Sequence, residues 1–199
     1  MNDEETFRVA FWGLFGAAVL MRTFFAIRVH QAGERLLPDR AAVRREGGPF
    51  FVLRLLVLLF VPALVFFARN PPWFRSLALP LPTAVRWIGV ALDLASLALW
   101  TWTHVALGRL WSGQLQLRQE HPLVTTGPYA RVRHPMYTAI FAFAFGLFLV
   151  SANWIFLIVA VVTAAFLTAR VPAEEQMMLE RFGDDYRAYM KRSGRFLPR

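Results

Sequence analysis

The feature that most constrains this chain is a long segment without charge. Between Arg133 and Arg170 there is no Asp, Glu, Lys or Arg. The segment consists of two apolar runs, residues 136–150 and 154–169, separated only by Ser-Ala-Asn. A connection this short joins antiparallel neighbouring helices. The sequence therefore predicts a tight helical hairpin in an apolar medium.

Three further apolar runs identify that medium as a lipid bilayer. Residues 7–27, 50–68 and 84–107 are each near the roughly 20 residues that a helix needs to cross a membrane. Hydrophobic residues make up 57% of the 199-residue chain and charged residues 18%, below the roughly 25% typical of soluble domains. We predict a single all-α integral membrane domain, 1–199, with five transmembrane helices.

The placement of basic residues predicts the orientation. The chain has 22 Lys and Arg against 13 Asp and Glu. Most of the basic residues lie in the first loop, the third loop and the C-terminal tail. The opposite side carries only Arg8, Arg69, Arg75 and Arg86. The positive-inside rule therefore places the N-terminus outside and the tail in the cytoplasm. Because the basic residues lie between apolar runs, they favour anionic lipid headgroups as partners and not nucleic acid.

Two absences narrow the chemistry. The chain has no cysteine, which excludes disulfides, thiolate catalysis and cysteine-bound metals, and we predict no metal site. The acidic N-terminus is followed by no small-residue cleavage site, so we expect no signal peptide. Residues 1–107 then hold three spans, and residues 108–199 hold a polar loop, the hairpin and a tail.

The polar loop before the hairpin is the first candidate functional segment. It contains two His-Pro dipeptides and a Gly-Pro-Tyr turn, and Pro135 suits the first turn of the hairpin helix. His134 then stands at a helix N-terminus, where backbone donors can meet an anionic group. The alternative is that His134 only caps the helix and Tyr137 only anchors it at the membrane interface.

The second candidate segment is Arg170-Val-Pro-Ala-Glu174-Glu175, where the fifth predicted span ends. In the simplest interpretation Arg170 is an interface anchor and a new helix begins at Pro172. Both segments flank the same hairpin, however, so they must lie close together in space. We therefore expect one pocket with His, Tyr, Arg and Glu over an apolar floor.

The tail beyond Pro172 has an amphipathic pattern. Apolar residues recur three or four apart at Leu179, Phe182, Tyr186 and Tyr189, interrupted at Gly183. The pattern fits a helix lying on the headgroups or a lid packed over a site.

As an ordered set, these motifs resemble a known family. Gly-Pro-Tyr…Arg-His-Pro-Met-Tyr, followed by Arg170…Glu174-Glu175…Leu179…Phe182-Gly183…Tyr186…Tyr189, is similar to the isoprenylcysteine carboxyl methyltransferase family and to the related phospholipid methyltransferases. The resemblance covers residues 108–198. It implies a non-Rossmann methyltransferase whose S-adenosylmethionine lies beside the hairpin and under the cytoplasmic tail. The absence of any Gly-x-Gly agrees with that fold.

The resemblance also assigns roles to individual positions. Arg170 matches a substrate-facing arginine, and Glu175 is its less certain catalytic neighbour. Ala139 and the ending 193–198 depart mildly from the family pattern. The positions that match cofactor contacts are Gln114, His121, Pro122, Leu123, Val124, Tyr129, His134, Pro135, Met136, Tyr137 and Glu174.

Several functional alternatives follow from these assignments. A lipophilic small molecule or a prenylated substrate with a carboxylate needs no base, and Arg170 would hold it by two parallel hydrogen bonds. An amine, as in a phospholipid N-methyltransferase, needs a base, for which Glu175 or His121 would have to serve. A scaffold or transporter subunit is the non-catalytic alternative, and the scarcity of midplane polar residues disfavours the transporter. We interpret the intramembrane residues Arg54 and Asp93 as structural.

Overall fold

Helices make up the regular structure throughout the described part of the chain. The structure is a computed structural model and describes residues 2–31, 60–108 and 122–199. Apart from two isolated bridges, these residues form no β-structure, which confirms the all-α prediction. The elements are α1 (Asp3–Gln31), α2 (Phe60–Arg69), α3 (Pro72–Arg75), α4 (Thr83–Leu107), a 3₁₀ turn (Gly127–Ala130), α5 (Pro135–Ser151) and α6 (Trp154–Arg192).

Three helices, α1, α4 and α6, are long and apolar enough to cross a membrane. The described part of α2, together with α5, forms shorter apolar helices. The remainder of the predicted second span, with Arg54, lies outside the described residues. An integral membrane protein is therefore supported, and the count of five spans and the orientation stay predictions.

Helix α1 begins four residues earlier than the apolar run because polar residues cap it. The Glu5 backbone N–H donates to Asn2 Oδ1 at 2.8 Å, and the Asn2 N–H donates to Glu5 Oε2 at 3.2 Å. This reciprocal arrangement has the logic of a capping box, in which each side chain satisfies a free backbone donor. Hydropathy alone does not register such an extension.

The predicted hairpin is confirmed. Two residues, Ala152 and Asn153, connect α5 to α6. Ala152 adopts a left-handed conformation with φ 48°, and the Asn153 side chain accepts a hydrogen bond from the Ile155 N–H. The proline-rich connector after α2 packs against this turn, since the Leu79 N–H donates to Ala152 O at 2.7 Å. The turn is thus stabilised by its own Asn153 cap and by the connector after α2.

Helix α6 corrects one expectation. The last span was predicted to end at residue 169, with a new helix at Pro172, yet α6 continues through Pro172 as far as Phe182, and its second helical piece begins after Gly183. A proline inside a helix removes one hydrogen bond and crowds the preceding turn. Full burial of Val171 and the ion pairs of Glu175 on the next turn offset that cost. The non-helical residue is instead Gly183, at φ 51° and ψ −118°, where the sequence pattern was interrupted.

Helices α4 and α5 approach closely where glycines face each other's helix. A Cβ on Gly89 would lie 2.7 Å from Leu149 Cβ, and one on Gly146 would collide with Asp93 Oδ1. Asp93 is fully buried, and neither carboxylate oxygen accepts a hydrogen bond in the described part of the chain. Its position against Gly146 supports the structural interpretation.

Two arginines that the charge count placed on the outer side join helices to one another. Arg86 donates to Val150 O at 2.8 and 3.1 Å and pairs with Glu4 at 2.7 Å. Arg8 donates to Phe67 O at 2.6 Å. The last carbonyls of a helix have no partner within it, so these guanidinium groups satisfy the ends of α5 and α2. Arg8 and Arg86 thus stabilise the end of the helical bundle that lies opposite the candidate site.

Candidate functional site

His134 is placed by the start of α5. It is the N-cap residue, with Pro135 as the first helical residue, as the sequence predicts. Its side chain makes no capping hydrogen bond, which argues against the alternative that it serves only as a cap. The imidazole instead stacks on the Tyr137 ring, with centroids 5.5 Å apart and an interplanar angle of 15°, one turn along the same face.

The two candidate segments converge on Glu174. The Tyr137 hydroxyl donates a short hydrogen bond to the Glu174 carboxylate. His134 Nδ1 lies 3.6 Å from Glu174 Oε2, and Arg170 Nε lies 3.4 Å from Glu174 Oε1. Arg170 and Glu174 share one face of α6 because they are four residues apart. The expected cluster of His, Tyr, Arg and Glu is therefore present beside the hairpin.

Glu175 shares His134 with Glu174 but has two arginine partners of its own. Arg133 Nε lies 2.9 Å and Arg195 Nη2 lies 2.6 Å from its carboxylate, and His134 Nε2 lies 3.5 Å away. This residue lies on α6 beyond the predicted span 154–169. Burial alone would raise the pKa of the Glu175 carboxyl, but the nearby His134 imidazole and hydrogen bonds from Arg195 and Arg133 outweigh burial and hold that pKa well below its usual range. Glu175 is thus an anion at neutral pH.

The C-terminal residues 193–198, which we call the strap, pair with the loop before α5. The Arg133 N–H donates to Gly194 O at 2.8 Å, and the His134 N–H donates to Arg195 O at 3.0 Å. The Thr138 hydroxyl donates to Phe196 O at 2.6 Å. All three bonds end on a main-chain carbonyl of the strap, so the strap holds the loop mainly through its backbone.

Tyrosines of the tail pack under the same loop. Tyr186 and Tyr189 are almost fully buried, and the Tyr189 hydroxyl donates to Tyr129 O at 2.6 Å and to Val132 O at 3.2 Å. Burial raises the pKa of Tyr189 to about 12, so the phenol remains a donor at neutral pH. The tail therefore packs against the loop before α5, and whether it also lies on the headgroups or covers a site stays a prediction.

The remaining predicted positions are less closely connected to the cluster. Gln114 and His121 lie outside the described residues. Residues 122–124 (Pro122, Leu123 and Val124) form an irregular segment, and Met136 is half-buried in the first turn of α5. Sequence reasoning missed the roles of Arg133 and Arg195. Arg133 adjoins the His-Pro motif and offered a signal, whereas Arg195 reaches Glu175 only through the fold of the strap.

Two buried donors of the cluster have no hydrogen bond among the described residues. They are His134 Nε2 and Arg170 Nε, both close to a carboxylate without meeting hydrogen-bond geometry. Buried donors in native proteins are nearly always satisfied. The cluster therefore has the capacity to bind a polar ligand.

Comparison with known proteins identifies the segment that contains this cluster. The model of the isoprenylcysteine carboxyl methyltransferase family matches residues 88–180. Protein-S-isoprenylcysteine O-methyltransferase of Schizosaccharomyces pombe is 37% identical over 75 residues, covering 37% of this chain and 32% of that protein. Protein-S-isoprenylcysteine O-methyltransferase B of Arabidopsis thaliana is 34% identical over 91 residues, covering 44% and 46%. The chain thus spans less than half the length of these two relatives.

Two other similarities extend over more of the chain. The cobalt-zinc-cadmium resistance protein CzcN of Cupriavidus metallidurans is 26% identical over 172 residues, covering 85% of this chain and 71% of that protein. The structure of a eukaryotic intramembrane Ras methyltransferase superposes with a TM-score of 0.64 at 22% identity, covering 95% of this chain and 67% of that one. The chain therefore shares the fold of that structure, and both halves of the cluster lie inside the segment that is similar to the isoprenylcysteine carboxyl methyltransferase family.

Proposed function

We propose that this protein is an S-adenosylmethionine-dependent methyltransferase that methylates a carboxylate on an apolar, lipid-like acceptor at the membrane surface. The observation that carries the proposal is the convergence of Tyr137, His134 and Arg170 on Glu174 at one end of the hairpin. Relatives that share this segment are named as O-methyltransferases of isoprenylcysteine. The longer match to a metal-resistance protein leads us to define the acceptor by its chemistry and not as a prenylated protein alone.

The cluster suits the polar groups of S-adenosylmethionine. The cofactor has an ammonium group, a carboxylate and ribose hydroxyls, and it supplies an electrophilic methyl group on a sulfonium. Glu174 would accept hydrogen bonds from the ammonium or ribose, and His134 Nε2, buried without a hydrogen bond, would donate to the carboxylate. The Tyr129 and Tyr137 rings provide faces that tolerate a cation. These residues and the loop around them would enclose the ligand and exclude water.

Arg170 is the residue best placed to hold the acceptor. Its Nε side is directed at Glu174, and the described residues contain no other ion-pair partner for its guanidinium. The outer edge of the guanidinium can therefore bind a carboxylate through two parallel hydrogen bonds. A carboxylate is already ionised at pH 7, so the acceptor would require no proton transfer.

The surroundings of Glu175 favour a carboxylate acceptor over an amine. An amine needs a general base whose pKa lies near the working pH. Glu175 is a poor base because Arg133, Arg195 and His134 stabilise its anion. We propose that Glu175 is a positioning residue that joins α6 to the loop and the strap. Of the two bases considered for N-methylation, His121 alone is left, and it lies outside the described residues.

Cofactor binding and acceptor choice can be tested on the purified full chain in detergent. Calorimetry should show binding of S-adenosylmethionine or its demethylated product, and labelled methyl transfer should be seen with apolar carboxylic acids, including an S-prenylated cysteine. An aminophospholipid serves as the alternative acceptor. Failure of well-folded protein to bind either nucleoside at millimolar concentration would remove the methyltransferase proposal. Transfer to the amine alone would overturn the carboxylate assignment.

A further inference from the structure

A second feature lies beside the site, between α4 and the strap. It is a groove of about 380 Å³ whose exposed lining is almost wholly apolar. One wall comes from α4, the other from the strap, and the floor from the loop and the first turns of α5. Residues that define it are Leu99, Trp102, Arg131, Thr138, Phe196 and Leu197.

The groove is separated from the Glu174 cluster by the Phe196 ring. Its centroid lies 6.1 Å from that of His134 and 5.3 Å from that of Phe141, so Phe196 contacts the site side of α5 while also lining the groove. Neither Glu174 nor Arg170 belongs to the lining described for the groove. An occupant of the groove would therefore not reach the proposed acceptor site directly.

With the end of α4 at the predicted membrane surface, the groove lies at the depth of the acyl-chain region of one leaflet. Trp102 and Leu99 precede the end of α4 at Leu107 by five and eight residues, which is about 8 and 12 Å at ~1.5 Å per residue. Trp102 is 55% and Leu197 71% exposed, so both present apolar surface at the mouth of the groove. A hydrocarbon chain is the occupant that fits this surface and this depth.

A positive charge at the groove favours a lipid with an anionic headgroup. Arg131 lies in the loop just before α5, is exposed, and is the only charged residue among those lining the groove. No carboxylate pairs with it among residues 2–31, 60–108 and 122–199. A basic residue at the membrane surface attracts anionic lipids by about 1 kcal/mol, a factor of about five.

We propose that this groove binds one anionic phospholipid, with an acyl chain against Trp102 and Leu197 and the phosphate at Arg131. The strap forms one wall of the groove and is hydrogen-bonded to the loop that carries His134. The bound lipid therefore holds the strap against the site. This lipid is a ligand of the enzyme and not its methyl acceptor, so the inference goes beyond the proposed reaction.

The experiment compares the full chain in nanodiscs of phosphatidylcholine alone and of phosphatidylcholine with phosphatidylglycerol. Native mass spectrometry after release into detergent should show one retained phosphatidylglycerol, and hydrogen exchange of residues 193–199 should be slower in the anionic nanodiscs. Neither readout depends on methyl transfer, so failure here is distinct from failure of the proposed reaction. Equal retention of the two lipids, or equal strap exchange in the two nanodiscs, would overturn the proposal.

Variants assign the effect to the groove. Arg131→Gln should lower phosphatidylglycerol retention about fivefold. Arg187→Gln is the matched control, because it removes the same charge from an exposed arginine of α6 outside the groove, and it should leave retention unchanged. Equal losses in both variants would mean diffuse attraction without a site. Leu197→Ser should also lower phosphatidylglycerol retention. If this variant instead raised the KM for the acceptor and left retention unchanged, the groove would be assigned to the apolar chain of the acceptor.

Discussion

At the scale of single residues, two carboxylates that are adjacent in the sequence have different partners in the site. Glu174 accepts from Tyr137 and faces His134 and Arg170, whereas Glu175 is enclosed by Arg133 and Arg195. Successive positions on a helix point about 100° apart, so neighbours in sequence can serve different functions. Under the proposed function, Glu174 would face the cofactor, and Glu175 would be a positioning residue that joins α6 to the loop and the strap.

Substitutions at Glu174 and Arg170 should affect different steps. Glu174→Gln should weaken cofactor binding by at least tenfold, because a charge-assisted hydrogen bond contributes about 1.5–3 kcal/mol. Arg170→Ala should leave cofactor affinity nearly unchanged and reduce methyl transfer by about 30- to 1000-fold, since a bidentate charged contact is lost. Arg170→Lys should rescue poorly, because an ammonium cannot reproduce the planar fork.

Calorimetry and turnover measured on the same purified variants decide between these roles. If Arg170 only anchored the helix at the interface, Arg170→Lys would be fully active and Arg170→Ala would mainly lower expression. A fully active lysine variant would contradict the acceptor assignment.

Glu175 should make folding stability depend on pH. Its pKa in the folded protein lies below its unfolded value of about 4.3, so the anion contributes stability that is fully present above that pH. That contribution is lost as pH falls toward the folded-state pKa. Glu175→Gln should lower stability by about 3 kcal/mol at pH 7, because it leaves buried arginine unpaired. Between pH 7 and pH 3 the stability of the variant should fall less than that of the wild type, which thermal unfolding at several pH values measures. If the two proteins lost the same stability over this range, the role of the Glu175 anion would be excluded.

At the scale of elements, the strap and the loop before α5 are joined by hydrogen bonds. A Cβ on Gly194 would collide with Leu197 O, so the close turn of the strap requires glycine. The strap also pairs through its main chain with Arg131 and Arg133, and each such bond contributes about 1 kcal/mol. The strap and the loop should therefore form or open together.

Gly194→Ala tests this coupling. The added methyl should displace the strap and weaken cofactor affinity by about tenfold, through loss of one or two main-chain hydrogen bonds. Gly13→Ala is the control, since a Cβ there meets nothing within 4 Å on regular helix α1 and alanine favours helix by up to about 1 kcal/mol. Calorimetry with the demethylated cofactor measures both variants. Identical affinities would show that the strap is not part of the site.

At the scale of the whole molecule, the hairpin brings both halves of the site to one end of the bundle. Arg8 and Arg86 join helices at the opposite end, and the glycine contacts of α4 and α5 lie between. Because the ends differ in this way, the orientation in the membrane decides whether the site can meet a cytoplasmic cofactor. Reporter fusions after Arg199 should indicate cytoplasm, and a fusion after Pro72 should indicate the outside. A tail found outside would contradict the proposed site.

Much of the architecture follows from local sequence. Helical position and the hairpin depend on runs of apolar residues, and the start of α5 depends on Pro135, because these signals act within a few residues. The cluster at Glu174 was also predictable, since residues on either side of a hairpin must meet. The resemblance to the isoprenylcysteine carboxyl methyltransferase family rests on the ordered motifs between Gly127 and Tyr189.

Only the tertiary structure decided how the site is closed. Glu175 meets Arg133 across 42 positions of the chain, and the partner of Arg133 in the strap is 60 positions away, so no local pattern records either contact. Pro172 shows the same principle in reverse, because a residue that locally favours a helix start stays inside α6 when the buried contacts of Val171 and Glu175 outweigh one lost hydrogen bond. Local propensities amount to about 1–3 kcal/mol, and burial of paired charges and apolar side chains is large enough to override them.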